Sequence, residues 1–212
     1  MTQLQNPAVP NLPLAPLEYD PRYQEQFTNI LRLYFNRLEV ITRNILAPSG
    51  GQFVSYPFGA FSSLLDQTAA STTVAYAITF NSTDINQSVE VANNSQIVVL
   101  YSGIYNLQFS IQFVNTDTQI HDVDVWAAIN GTNVANSNSR FSVPNSHGGV
   151  DGHLIAALNL FLTMQAGDYV ELYWHTTNTA VSVEYLSSGS SPTRPATPSV
   201  IATMAFVSSI PE

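Results

Sequence analysis

Tyr105-Asn106-Leu107-Gln108-Phe109-Ser110-Ile111-Gln112-Phe113 alternates large apolar residues with polar ones over nine consecutive positions. Successive side chains of a β-strand point to opposite faces of a sheet. A period of two therefore predicts a strand with one face in the core and the other in water. The apolar period changes from 3.6 to two at about residue 52, so the larger part of the chain is predicted to be β-structure.

The alternation recurs through residues 52–212, which we predict to form one β-domain. Residues 123–129 alternate and lead into Asn130-Gly131, a pair that favours a tight hairpin turn. Residues 154–164 and 169–175 make two more strands. Shorter strands are predicted at 73–80, 88–92, 96–101, 138–143, 180–186 and 199–208. Eight or more strands without an intervening helix predict a sandwich or a barrel. The last strand is apolar on both faces, which suits a central strand or one near a subunit interface.

Residues 22–47 form the one predicted helix. Pro21 suits a helix start, and Pro48-Ser49-Gly50-Gly51 ends the helix. Apolar residues spaced by three and four form a heptad seam that consists of Phe27, Leu31, Tyr34, Leu38, Ile41 and Ile45. Such a seam can pack on the chain's own domain, build a short oligomeric stalk, or anchor the protein to a capsid.

Residues 1–21 are predicted to be an extended arm, because prolines recur in them at short intervals. Leu12, Leu14 and Leu17 lie between these prolines, and a solvated linker would be more polar. A disordered tail is one interpretation. The regular apolar residues favour the other, an anchoring strap whose leucines fill pockets on a partner.

The charge of the chain lies in the β-domain alone. The chain has 15 acidic residues and six basic ones, which gives a net charge of −9. All six basic residues are arginine. Residues 1–50 hold four acids and four arginines, so residues 51–212 carry the whole excess. Nucleic-acid binding depends on basic residues, and we therefore expect no nucleic-acid partner.

Several further classes are excluded by composition. No window approaches the apolar length of a transmembrane helix, so membrane insertion is not expected. The first residues lack the features of a secretion signal, and we expect synthesis in a host cytoplasm. The chain has no cysteine, which removes disulfides, zinc–thiolate sites and cysteine nucleophiles.

The order of the strand motifs resembles the tumour necrosis factor and complement globular-head superfamily. Ser102–Phe109 is similar to that family's Gly-x-Tyr-x-Phe-type strand, Ala128–Gly131 looks like its Asn-Gly hairpin, and Gln165–Val170 resembles its Gly-Asp turn. The likeness covers about residues 58–210. It implies an antiparallel jelly-roll β-sandwich that forms a tight trimer. The lack of cysteine, signal peptide and collagen-like repeat departs from the secreted animal members.

The leader carries a second resemblance. Leu14–Pro21, followed by Leu31–Asn36, looks like the leader of structural proteins in tailed phages, where a short arm and a helix precede a β-rich exposed module. The likeness covers about 35 residues. It implies that the chain is located in a virion.

No catalytic motif stands out, and neither an enzyme activity nor a cofactor is expected. His147, Asp151 and His153 lie within seven residues, but their spacing fits no regular metal site and favours a solvated glycine loop. Asp117, Asp122, Asp124 and Asp151 are a candidate calcium set, although sequence cannot show that separate loops converge.

Four residues of the β-domain are candidates for surface recognition: Trp126, Tyr169, Tyr173 and His175. Side chains of these types bind sugars or receptors at a surface, but they also fill a sheet face or a subunit interface, and the second interpretation is favoured.

The sequence favours a non-enzymatic bacteriophage structural protein, a trimeric jelly-roll decoration or fibre protein of the virion. Its partners would be copies of itself, other virion proteins of capsid or tail, and a host receptor or glycan. Attachment to the particle is assigned to Leu12, Leu14 and Leu17 of the arm and to Phe27, Leu31, Tyr34, Leu38 and Ile41 of the helix. The alternative is a receptor- or carbohydrate-binding module of a tail fibre or cell surface.

Overall fold

The computed structural model describes residues 8–46 and 56–211 in two units, divided between residues 55 and 56. Three predictions reach beyond these residues: the start of the arm at 1–7, the helix end at 47, and the start of the β-domain at 52–55. Helix α1 spans Pro21–Leu46, which confirms the predicted helix ahead of the β-domain. Asp20 caps it, since its Oδ1 accepts the backbone N–H of Arg22 at 2.9 Å.

The second unit is built from antiparallel strands. In chain order these are β1 Phe58–Ser63, β2 Gln67–Thr68, β3 Tyr76–Ala77, β4 Ser82–Gln87, β5 Val89–Ala92, β6 Gln96–Val99, β7 Gly103–Asn115, β8 His121–Ile129, β9 Thr132–Asn133, β10 Ser139–Val143, β11 Gly152–Met164, β12 Tyr169–Thr176, β13 Val181–Val183, β14 Gly189–Ser190, β15 Thr193–Arg194 and β16 Val200–Ser208.

Two sheets hold most of these strands. The first sheet has β7 near its middle: β11 runs along its full length on one side, and β16 and β13 share the other. β1 and β4 continue this sheet beyond β16. The second sheet has the order β10-β8-β12-β6-β5. In the described chain β11 pairs only with β7, so its outer edge is a sheet edge.

The core lies between the sheets, and this confirms the predicted antiparallel β-sandwich preceded by a helix. In β7, Tyr105, Leu107, Phe109, Ile111 and Phe113 are buried, as the opening alternation predicts. Trp174 of β12 is 1% exposed, and its ring centroid lies 5.6 Å from that of Phe113 across the core. The chain passes between the two sheets after β2, β3, β4, β6, β7, β10, β11 and β12.

Most predicted strands are present, but their lengths differ. The strand expected over 73–80 is reduced to Tyr76–Ala77, because only these residues pair with β12. The final strand is central as expected, between β7 and β1. Asn130 and Gly131 both have positive φ, at 50° and 76°, in agreement with the predicted tight turn.

Candidate functional site

The four predicted recognition residues lie on the outer face of the second sheet. Trp126 is on β8, and Tyr169, Tyr173 and His175 are on β12. The antiparallel register places Trp126 opposite Tyr173, and Asp124 opposite His175. Trp126, Tyr173 and His175 are therefore neighbours, whereas Tyr169 lies at the other end of β12, beside the turn that follows β8.

The indole of Trp126 is held from two sides. Its ring stacks on Tyr173, with centroids 6.0 Å apart and planes at 18°, and its Nε1–H donates to Asn133 Oδ1 at 2.8 Å. The Tyr173 hydroxyl donates to Glu171 Oε2 at 3.2 Å, and Ser95 Oγ donates to Glu171 Oε1 at 2.5 Å. Burial, together with the Glu171 carboxylate, raises the pKa of Tyr173. The aromatic pair is thus fixed by hydrogen bonds at both ends.

Asp124 is 8% exposed and forms a two-bond ion pair. Arg140 Nε donates to Asp124 Oδ1 at 3.0 Å, and Arg140 Nη2 donates to Oδ2 at 2.9 Å. This hydrogen bonding with Arg140 lowers the pKa of Asp124, with a smaller contribution from Asn138. His175 lies beside the pair, with Nδ1 3.6 Å from Asp124 Oδ2 and Nε2 2.8 Å from the Thr72 carbonyl.

A cavity of about 340 Å³ opens beside these side chains. Its lining consists of Asp124, Trp126, Asn133, Val134, Asn136, Asn138 and His175. The segment after β9 forms one wall and is tied to β8, because Ser137 Oγ accepts the Ala127 N–H at 3.1 Å and donates to the Val134 carbonyl at 2.8 Å.

The sequence singles out three residues of this cavity, Trp126 and His175 for recognition and Asp124 as a candidate calcium ligand, and misses the others. Trp126 and His175 were candidates because of their residue types. Arg140 enters through the pairing of β10 with β8, which sets it opposite Asp124. Asn136 and Asn138 come from a turn whose path no local pattern reveals. The only signal for them was a run of asparagine and serine, which also describes a plain loop.

The histidine-rich candidate metal site is not assembled. His147 forms a tight turn in which its backbone N–H and carbonyl bond to those of Val150 at 2.9 and 3.1 Å. His153 instead lies beside Glu184, with its Nδ1 3.2 Å from Glu184 Oε2, and Asp151 is exposed. Over residues 8–46 and 56–211, no three His, Asp or Glu side chains are placed to hold a metal ion.

Three of the four aspartates in the candidate calcium set have separate partners, and the fourth, Asp151, is exposed. Asp117 Oδ2 lies 2.7 Å from His121 Nε2, and this hydrogen bond lowers the pKa of Asp117. Asp122 Oδ1 accepts a hydrogen bond from Ser142 Oγ at 2.7 Å. Asp124 is bound by arginine as described above. Convergence of several oxygens, which calcium requires, is not found at these residues.

The outer face of the first sheet has a different character. Strands β7, β11 and β16 contain no Asp, Glu, Lys or Arg at any position. Ile155, Phe161, Ile201 and Val207 are exposed large apolar side chains on them. On a chain with a net charge of −9, three adjacent strands without a formal charge form a distinct surface, which we call the uncharged face.

A shallow groove of about 530 Å³ runs across the uncharged face. The register explains its lining, since Ser110 of β7 is opposite both Ile201 of β16 and Ala157 of β11. Small residues here let the surface dip between taller neighbours such as Ile155 on β11.

The assigned attachment residues remain accessible in the first unit. Leu14 and Leu17 are almost fully exposed, and Leu12 is exposed as well. The helix seam residues Phe27, Leu31, Tyr34, Leu38 and Ile41 are each partly exposed. Tyr23 ties the arm to the helix, because its hydroxyl donates to the Pro13 carbonyl at 3.3 Å and its ring stacks on Phe27.

Neither a protein-family profile nor a curated protein sequence matches the chain. Within the described residues, no helix has the length and apolar character needed to cross a bilayer.

Proposed function

We propose that the chain is a non-enzymatic structural protein of a bacteriophage virion, a homotrimer whose β-domain projects from the particle while its arm and helix attach to capsid or tail. The uncharged face of β7, β11 and β16 carries this proposal. An acidic protein can associate with copies of itself only through a surface on which like charges do not meet.

The uncharged face meets this requirement. It exposes Phe161 and Ile201 and has no formal charge, so contact between copies there would bury apolar area without desolvating an ion. The outer face of the opposite sheet instead carries ionised groups, Asp122, Asp124 and Glu171 together with Arg140, so contact between copies there would bring charges together. Three copies would carry a formal charge of about −27, which would keep assembled heads apart and soluble.

The threefold order rests on the resemblance to the tumour necrosis factor superfamily. The sandwich supports that resemblance, because its chain alternates between two sheets and places the last strand at the centre of one of them, as in a jelly roll.

Attachment is proposed for the first unit. Leu14 and Leu17 expose nearly their whole side chains on a short proline-rich segment, and the helix seam continues the apolar surface. Apolar residues in such a segment gain roughly 1.5–3 kcal/mol each when a partner buries them completely. The arm and helix are also electrically neutral overall, so approach to an acidic capsid surface meets no net repulsion.

The proposal is tested by solution mass and by incorporation into particles. Light scattering of the purified chain should give about 69 kDa, three times the chain mass of 23.1 kDa. Phage particles whose genome carries this sequence should contain the full chain and should lose it when residues 1–46 are deleted. The deleted chain should remain trimeric, which separates attachment from assembly. A monomeric full chain refutes the trimer, and unchanged incorporation after the deletion refutes the anchor.

A further inference from the structure

We propose that the cavity beside Trp126 binds one neutral pyranose ring of a carbohydrate, a function beyond a structural role in the virion. The cavity combines a partly exposed indole with a carboxylate, three asparagine amides and an imidazole around a volume of about 340 Å³. That volume is at the lower end of the range for small-ligand pockets.

Charge excludes most other small ligands. Arg140 neutralises Asp124 through two hydrogen bonds, so neither a cation nor an anion finds an uncompensated partner. Arg140 and Arg194 are the only basic residues of the β-domain apart from histidine, and the acidic body would repel a phosphate or a nucleotide.

Polarity excludes an apolar ligand. Asn136 makes no side-chain hydrogen bond to any described residue, and Asn133 uses only its Oδ1, to accept from Trp126. Asn138 directs its amide nitrogen towards Asp124 at 3.4 Å, which leaves its Oδ1 as an acceptor. A ligand without hydroxyl groups would cover these amides and leave them without hydrogen-bond partners, which is unfavourable for binding.

A sugar ring matches both kinds of wall. Its C–H face packs on an indole, and its hydroxyl groups both donate and accept hydrogen bonds, as the amides require. Trp126 is already immobilised by Tyr173 and Asn133, so binding would lose little side-chain entropy at the aromatic surface.

The experiment is a titration with neutral methyl glycosides of glucose, galactose, mannose and N-acetylglucosamine, with glucuronate and glucosamine as charged comparators. Tryptophan fluorescence and saturation-transfer NMR report binding. The chain has two tryptophans, and Trp174 is buried in the core, so a change of emission on binding reports Trp126. At least one neutral glycoside should bind at millimolar concentration, and its affinity should be higher than that of the charged comparators.

Variants locate the site. Trp126→Ala should weaken binding by at least about tenfold, as truncation of a central aromatic does. Asn136→Gly should weaken it several-fold while keeping the left-handed backbone, since Asn136 has φ of 63°. Tyr101→Ala, at an exposed aromatic outside the cavity, is the control and should bind as the wild type.

Circular dichroism and a melting curve verify that each variant is folded. If Trp126→Ala does not fold, the binding measured for Asn136→Gly decides the test. Absence of binding by every neutral glycoside overturns the proposal, as does binding that survives both cavity variants or that favours the charged sugars. A parallel titration with a neutral polysaccharide of the best sugar shows whether a free ring or a chain residue is the natural form. Failure of this test leaves the mass and incorporation results for the proposed virion role unaffected.

Discussion

Replacing Ile201 by aspartate is expected to separate the proposed trimer into monomers that keep the sandwich fold. Ile201 is 41% exposed on β16 and lies at the groove of the uncharged face, opposite Ser110. No Lys or Arg lies on β7, β11 or β16 to pair with a carboxylate introduced there.

The size of the effect follows from burying an unpaired charge. An uncompensated carboxylate in an interface costs about 3–5 kcal/mol. Each 1.4 kcal/mol is tenfold, so the dissociation constant should rise by roughly two to four orders of magnitude. Protonation of the introduced aspartate should restore assembly. An aspartate buried between copies has a pKa above its usual range, and assembly of the variant should therefore recover as the pH falls towards about 4.

The assay is light scattering after size-exclusion chromatography, with circular dichroism to show that the variant is folded. Ile201→Thr keeps a β-branched side chain without charge and should remain assembled. Ile120→Asp adds the same charge at an exposed position in the turn between β7 and β8, and should also remain assembled. If Ile201→Asp has the same mass as the wild type at neutral pH, the uncharged face is not the interface between copies.

Three further predictions concern the β-domain itself. Gly152→Ala should destabilise it by about 1–3 kcal/mol in urea unfolding, because the added Cβ would lie 1.9 Å from the Pro144 carbonyl oxygen. Trp174→Ala should cost about 3–5 kcal/mol, since this side chain is fully buried between the two sheets. Asp124 has a folded pKa below its ordinary 3.8, so it contributes stability at neutral pH that is lost on acidification below about pH 4. Asp124→Asn should lower the free energy of unfolding at pH 7, because Arg140 loses its charged partner. The same variant should lose less of this free energy between pH 7 and pH 2 than the wild type does. Urea unfolding over that pH range measures both effects.

Each of these has a comparison that isolates its cause. At Gly148 no atom lies within 4 Å of the added Cβ, so Gly148→Ala should cost only about 1 kcal/mol, from its φ of 62°. Trp174→Phe should retain more stability than Trp174→Ala, because it leaves a smaller cavity. Asp84→Asn serves as the control for Asp124 and should lose less stability at pH 7, because the Asp84 carboxylate accepts long hydrogen bonds of 3.4 Å from Ser62 and Ser82 in place of an arginine pair. Equal losses within any of these pairs would contradict the corresponding reason.

The fold was predictable where the burial of a strand alternates. β7, β11 and β12 each keep one face in the core, and their sequences show the period of two that this requires. β4, Ser82–Gln87, was missed because it is polar and largely exposed at a sheet edge, where packing imposes no pattern. The strand predicted over 73–80 is longer than the observed one for a related reason. Its apolar residues pack on the core, but those outside the short strand do so from a loop.

The cavity was predictable only in part. Trp126 and His175 were identified because their residue types are rare and suit recognition. Arg140 is 16 residues from its partner Asp124, and the two meet only through the register of β10 on β8. Such a register depends on the whole sheet, so no local pattern could have grouped these residues or separated Tyr169 from them.

The free edge of β11 has a consequence for handling the isolated protein. Thirteen residues, Gly152–Met164, present a row of backbone donors and acceptors that no strand of the described chain covers. Proteins usually protect such an edge with lysine, proline or a bulge, and β11 has none of these. Chains held as monomers should therefore add edge to edge as their concentration rises, and the yield of refolding should fall with concentration. Any state in which neighbouring copies shield β11 would then serve as the protein's own defence against fibrous aggregation.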